Sequence, residues 1–322
     1  MLRYLTHGWR VLQRRKNQAF KPVVLITGCG SGIGLALAQL LSTQTQYRVI
    51  ITAREESLPF LRRRFKDSER FWMRKLDVTS KADRQNLMRE IRTRWGAVNI
   101  LINNAGIAYR AVLEHMTDAD EKKQITTNYL GPAALIRAVL PGMRKLGRGK
   151  IINVSSVSGM LAMPTMASYS ASKYALEGMS EALWYETRPL GINICLIQPG
   201  FVRSNSFRRV HYTRKSAPNA KRSNKTYMDY YANMAPFIER LMNWSRATPE
   251  SIANKILGVI QTEDPPLWVP VTLDAVVFYY LRRLLPRRLL LPILFAALPG
   301  ARRWAMAYTN CRYRQLPRGE AA

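Results

Sequence analysis

The apolar run Val23-Val24-Leu25-Ile26 leads straight into Thr27-Gly28-Cys29-Gly30-Ser31-Gly32-Ile33-Gly34 and then into the helix-forming segment Leu35-Ala36-Leu37-Ala38-Gln39-Leu40-Leu41. A strand that ends in a glycine-rich turn and opens a helix admits few architectures. The glycines let the backbone approach a pyrophosphate, whose charge meets the free N–H groups and positive end of the helix. The pattern predicts the first βα unit of a parallel sheet. A lone glycine turn is weak evidence, so the rest of the chain decides.

Downstream, apolar runs alternate with amphipathic segments. Strands are expected near 23–27, 48–52, 71–76, 98–102, 150–155, 192–197 and 267–270, and helices near 33–42, 80–95, 118–145, 166–188 and 248–262. The last helix has a clear start signal, with Thr248 as N-cap followed by Pro249 and Glu250 in its first turn. Such alternation with short connections implies an α/β fold of Rossmann type. Its doubly wound parallel sheet would have about seven strands, right-handed crossovers and helices on both faces.

Two motifs fall at the carboxyl ends of expected strands, where open α/β sheets bind ligands. Asn103-Asn104-Ala105-Gly106 follows one strand, and Pro199-Gly200-Phe201-Val202-Arg203-Ser204 follows another. Between them, Tyr169 and Lys173 stand at i, i+4 in Tyr169-Ser170-Ala171-Ser172-Lys173, with Ser156 upstream. This spacing puts phenol and ammonium on one helix face. The cation favours the phenolate and lowers a pKa that is ordinarily about 10, which suits a proton donor and acceptor near neutral pH.

With these motifs in order, residues 22 to 270 strongly resemble the short-chain dehydrogenase/reductase family. The resemblance implies that Tyr169 is the general acid and base, that Lys173 holds the nicotinamide ribose, and that Ser156 orients the substrate oxygen, with Ser155 supporting only. It further implies that Asn128 relays protons through water to the lysine. Cofactor contacts are expected from Thr27, Gly28, Ser31, Gly32, Ile33 and Gly34, from Asp77 and Val78 beside the adenine, from Asn104, Ala105 and Gly106, and from Pro199, Gly200, Val202 and Ser204. No acidic residue closes the second expected strand. Arg54 stands there instead and suits a 2′-phosphate, favouring NADP(H) over NAD(H).

The chain carries 50 basic against 21 acidic residues, a formal charge of +29. Such a field favours anionic partners: phosphorylated cofactors, acidic headgroups or acyl carriers, and nucleic acid only without specificity. Cys29, Cys195 and Cys311 are far apart, as are His7, His115 and His211. This spacing suggests neither a disulfide framework nor a metal site, and it makes a reducing, cytoplasmic compartment the default.

Three segments depart from the regular pattern. Residues 1–21 are basic, with Arg3, Arg10, Arg14, Arg15 and Lys16 around Leu2, Leu5, Trp9, Val11 and Leu12, and lack the apolar core of a signal peptide. Residues 201–247 form a basic insertion whose second half carries Met228, Tyr230, Tyr231, Met234, Phe237, Ile238, Leu241 and Met242 at helical spacing; in the family this position is the substrate lid. Residues 271–322 form an arginine-rich extension in which the uncharged stretch between Arg288 and Arg302 is shorter than the ~20 residues a bilayer span needs. The extension reads as a monotopic element on an anionic membrane surface, with packing on the domain or a dimer partner as the alternative. On the membrane reading, a chain ending near Asp274 is expected to fold.

The glycine loop, Tyr185-Glu186 and Thr248-Pro249-Glu250 resemble the hydroxysteroid and retinol dehydrogenase branch. The expected activity is hydride transfer between NADP(H) and a hydrophobic ketone, aldehyde or alcohol of steroid, retinoid or lipid type. A 3-oxoacyl-thioester or 3-keto-sphingoid reductase is the enzymatic alternative, and a non-catalytic cofactor-sensing regulator the alternative of another class. Family members usually pair as dimers or tetramers through the helices near 118–145 and 166–188.

Overall fold

In a computed structural model, the structure describes residues 21–204, 210–217, 227–301 and 304. The basic positions Arg3 to Lys16, the tail arginines Arg302, Arg303, Arg312, Arg314 and Arg318, and Cys311 lie outside the described residues.

The strands are β1 (Val23–Ile26), β2 (Arg48–Ala53), β3 (Phe71–Lys75), β4 (Ile100–Asn103), β5 (Gly149–Val154), β6 (Ile192–Gln198) and β7 (Trp268–Pro270). The helices are α1 (Gly32–Ser42), α2 (Leu58–Arg64), α3 (Lys81–Trp95), α4 (Asp118–Ile125), α5 (Gly131–Leu146), α6 (Ala167–Thr187), α7 (Met228–Trp244), α8 (Pro249–Gln261), α9 (Leu273–Leu284) and α10 (Arg287–Ala297). The seven strands form one sheet in the order β3-β2-β1-β4-β5-β6-β7, every pair parallel. Strand order reverses between β1 and β4, which opens a crevice at their carboxyl ends.

Alternating side chains split the core into two layers. Val24, Ile26, Val49 and Ile51 face α1 and α8 through Leu37, Leu41, Ile252 and Ile256. Val23, Leu25, Ile50 and Leu101 face α3 and α5 through Leu87, Ile91, Leu135 and Val139. Each such side chain, removed from water, contributes about 1.5–3 kcal/mol, so both layers must form for the crevice to be rigid. The capping signal at Thr248 is realised: its side chain accepts the Ser251 N–H, and Ser251 reciprocates.

Three departures from the sequence expectation have physical causes. The helix expected over 118–145 is two helices joined by a π-helical turn, Thr126–Leu130, a wide turn frequent at functional sites. α2 escapes sequence reading because only Leu58 and Leu61 of it are buried. The extension begins as a packed element, since Ala275 is fully buried and α9 sets Phe278 and Tyr279 against Val157 and Met160. A boundary at 270/271 therefore divides residues that pack together, and a chain ending at Asp274 would lose a wall of the Ser156 loop. In the insertion, α7 buries Tyr231, Met234 and Ile238. The Tyr231 hydroxyl accepts the Val112 N–H and pairs with His115 Nδ1 at 2.9 Å, tying this helix to the loop after β4.

Candidate active site

β5 ends at Val154, and the chain beyond it stays tied to the sheet through the bond from Ser155 N–H to the Ile197 carbonyl. Ser156 follows in extended backbone and caps the next turn, its hydroxyl accepting the Ser158 N–H at 3.1 Å. Tyr169 lies in the first turn of α6 and Lys173 one turn later, on the same face. The lysine Nζ stands 5.8 Å from the Tyr169 ring centre and donates to the Val154 carbonyl at 2.9 Å. The Ser156 side chain hydrogen-bonds the Tyr169 hydroxyl. Strand end and helix start thus bring the three expected groups together.

Burial dominates the electrostatics of this cluster. It raises the Tyr169 phenol above its ordinary range, opposed by the bond from Ser156. It also pushes the Lys173 amine down to about 8, opposed by the Glu177 carboxylate. The expected lowering of the phenol by its lysine neighbour is therefore reversed, because desolvating the phenolate costs more than the hydrogen bond to it recovers.

Asn128 sits in the π-helical turn with its amide fully engaged. Its Oδ1 accepts the Ile107 N–H, and its Nδ2 donates to the Ile107 carbonyl and to Ser172 Oγ. A Cβ on Gly106 would stand 3.3 Å from Asn128 Oδ1 and 3.7 Å from Lys173 Nζ. The loop after β4 thus lies directly over the lysine.

The same loop braces the glycine turn. Thr27 Oγ1 accepts N–H bonds from Asn104 and Ala105, and Asn104 Nδ2 donates to the carbonyls of Thr27 and Gly28. Gly28, at φ +73°, packs so closely on Ala105 that a Cβ would lie 2.7 Å from its Cα, whereas Gly32, at φ +57°, faces open space. Behind that space, α1 starts with no acidic residue in its first turn and no side-chain cap from Ser31. Ile33 and Gly34 continue this turn. The bare helix start and open glycine surface fit a dinucleotide pyrophosphate.

The remaining expected contacts ring the crevice. Arg54 directly follows β2, exposed and paired with Glu56 at 3.0 Å. Asp77 accepts the Thr79 N–H and hydroxyl, and Val78 packs on Gly131. The Pro199 carbonyl accepts the Val157 N–H, and Gly200 donates to Thr272 Oγ1. Val202 is buried, and Ser204 closes the described part of this loop.

Sequence reading missed the partners of this last loop. Thr272 caps α9 and Asp274 accepts the Phe201 N–H. The signal was present, since a threonine followed two places on by an acidic residue is a helix start. Glu177, one turn beyond Lys173, was also passed over.

Residues 22–215 match the family model described as short chain dehydrogenase. The chain is 34% identical over 244 residues to the 3-ketodihydrosphingosine reductase of Bacteroides thetaiotaomicron, covering 76% of this chain and 85% of that one. A short-chain dehydrogenase from Streptomyces avermitilis superposes with a TM-score of 0.68 at 31% identity over 80% of this chain and 91% of that one. The fold is shared with a short-chain dehydrogenase/reductase from Burkholderia phymatum in complex with NAD, at a TM-score of 0.66 and 22% identity, covering 83% and 94%. The chain is thus an NAD(P)-dependent oxidoreductase, a member of the short-chain dehydrogenase/reductase family.

Proposed function

We propose that this enzyme uses NADP(H) to interconvert a hydrophobic ketone or aldehyde and the corresponding alcohol, with a substrate whose body is long and apolar. The observation that carries this reading is the apolar face beside the Ser156 loop, where the partly exposed Met163, Phe278 and Tyr279 pack on the buried Val157, Met160 and Ala275. Bound NADPH supplies the hydride. In the reductive direction Tyr169 donates its phenolic proton to the carbonyl oxygen, and Ser156 hydrogen-bonds the same oxygen as charge develops on it. Lys173, protonated, stabilises the phenolate left behind, and Asn128 keeps the loop at Ile107 over the lysine. Arg54 would exchange Glu56 for a 2′-phosphate, which supports NADP(H).

The 34% identity to a 3-ketodihydrosphingosine reductase favours a long-chain 3-keto substrate within this class. Among the described residues no helix is long and apolar enough to cross a membrane. α10, however, exposes Leu289, Leu291, Ile293 and Phe295 beside Arg287 and Arg288, which supports peripheral attachment to the anionic cytoplasmic face of a membrane. NADPH oxidation by the full chain would be followed with 3-ketodihydrosphingosine, a long-chain 3-oxoacyl thioester, a steroid ketone, retinal and a short-chain ketone. The expected result is turnover of at least one long apolar carbonyl with kcat/KM well above that for the short ketone. Preference for the short ketone would overturn the substrate class, and no turnover on any member would favour a regulator.

A further inference from the structure

Glu177 lies on α6 one turn beyond Lys173, on the face that carries Tyr169. Its carboxylate accepts a hydrogen bond from Ser155 Oγ at 2.7 Å and from Gln198 Nε2 at both oxygens, 2.9 and 3.0 Å. Ser155 immediately precedes Ser156, and Gln198 immediately precedes Pro199-Gly200. Gly159 closes the enclosure, since a Cβ there would overlap Glu177 Oε1 and Ser155 Oγ. Among the described residues, the charged groups acting on the carboxylate are Lys173 on its own helix and Arg283 on α9, with the Tyr174 phenol as the other titratable neighbour.

We propose that Glu177 is a positioning residue of the reaction, a carboxylate anchor that joins the Ser155-Ser156 strand end, the Gln198-Pro199-Gly200 loop and the Lys173 cation in one cluster. Both carboxylate oxygens accept from the Gln198 amide, a group that can only donate there, and Oε1 accepts from the Ser155 hydroxyl as well, so the ionised form uses every donor in place. The site is built for the anion. Burial raises the Glu177 pKa, and the two side-chain donors and two cations oppose that rise. In return, the carboxylate opposes the burial that pushes Lys173 down to about 8. Without it, the lysine would shed its proton closer to neutrality and cease to favour the Tyr169 phenolate.

The test needs no substrate. The full chain would carry lysine isotopically labelled at Cε, and the Lys173 resonance would be identified by its absence from the Lys173→Met variant. In the wild type it is expected to titrate near pH 8. Glu177→Gln keeps the shape and removes the charge, and should move that titration down by about one pH unit, the low end of the effect of a close opposite charge. Glu177→Asp keeps the charge with a shorter reach, and should move it by less. Lys173 titrating as in the wild type, in a Glu177→Gln protein that melts cooperatively, would reduce Glu177 to a packing residue. If Glu177→Gln does not fold, Glu177→Ala takes its place beside Glu177→Asp, with an unshifted Lys173 in the charge-free variant again overturning the proposal. An equal shift in both variants would likewise overturn it, because charge would then not be the cause.

Discussion

Gly200 lies so close to the Asp274 carboxylate that a Cβ in place of its hydrogen would overlap the Asp274 oxygens. The same carboxylate accepts the Phe201 N–H at 2.8 Å, so the loop after β6 is held by the first turn of α9. Gly200→Ala should destabilise the protein by about 1–3 kcal/mol through overpacking. Asp274→Ala should cost about 1–3 kcal/mol by leaving the Phe201 N–H without its partner. In the double variant the two losses should add to less than their sum, because the alanine at 200 no longer meets the carboxylate. Urea denaturation of the four proteins checks this. Strict additivity would mean the pair is not coupled.

Tyr169→Phe removes the phenolic hydroxyl proposed to donate the proton and leaves the crevice shape intact. Hydride transfer should fall by about 10²–10⁴-fold while NADPH binding, read by fluorescence titration, stays within a few-fold of the wild type. Retention of more than about a tenth of kcat would place the acid elsewhere.

Arg54→Asp replaces a cation suited to a 2′-phosphate with a carboxylate suited to a free ribose hydroxyl. Dissociation constants should rise for NADPH and fall for NADH, because both the attractive and the repulsive contributions change sign. Unmoved constants would leave Arg54 as the surface partner of Glu56 seen at 3.0 Å.

Lys173 is buried with a pKa lowered to about 8 from its ordinary 10.5. Below pH 8 the folded protein must carry the desolvated cation; between those values the unfolded chain binds more protons, so stability rises with pH. Lys173→Met should therefore be more stable than the wild type at neutral pH, by at most about 3 kcal/mol. The bond to the Val154 carbonyl is lost in the same variant and offsets part of the gain. The advantage should narrow as pH climbs past 8. Melting curves at a series of pH values decide this, and a pH-independent difference would mean that charge burial is not the cause.

Replacing Leu289, Leu291 and Ile293 together by serine should release the protein from anionic vesicles while leaving its melting temperature nearly unchanged, because all three are more than half exposed. Each apolar side chain contributes up to about 1.5–3 kcal/mol when fully buried in the acyl boundary, and each nearby arginine about 1 kcal/mol. Equal co-sedimentation of variant and wild type with acidic vesicles would remove α10 from the attachment surface.

Much of the site was legible because its parts are local in sequence. The glycine turn follows its strand directly, Tyr169 and Lys173 share a helix face by spacing alone, and the alternation of strands and helices allowed a single class of sheet. What sequence could not show was which distant segments close on those parts. Thr272 and Asp274 meet Gly200 and Phe201 across the sheet edge, Asn104 clasps Thr27 and Gly28, and Glu177 meets Ser155 and Gln198. The direction of the Tyr169 shift was likewise decided by burial, which depends on everything packed around the phenol rather than on its neighbour one turn away. Local motifs determined the chemistry this chain carries. Only the tertiary structure decided how that chemistry is held, because hydrogen-bond partners and desolvation come from segments far apart along the chain.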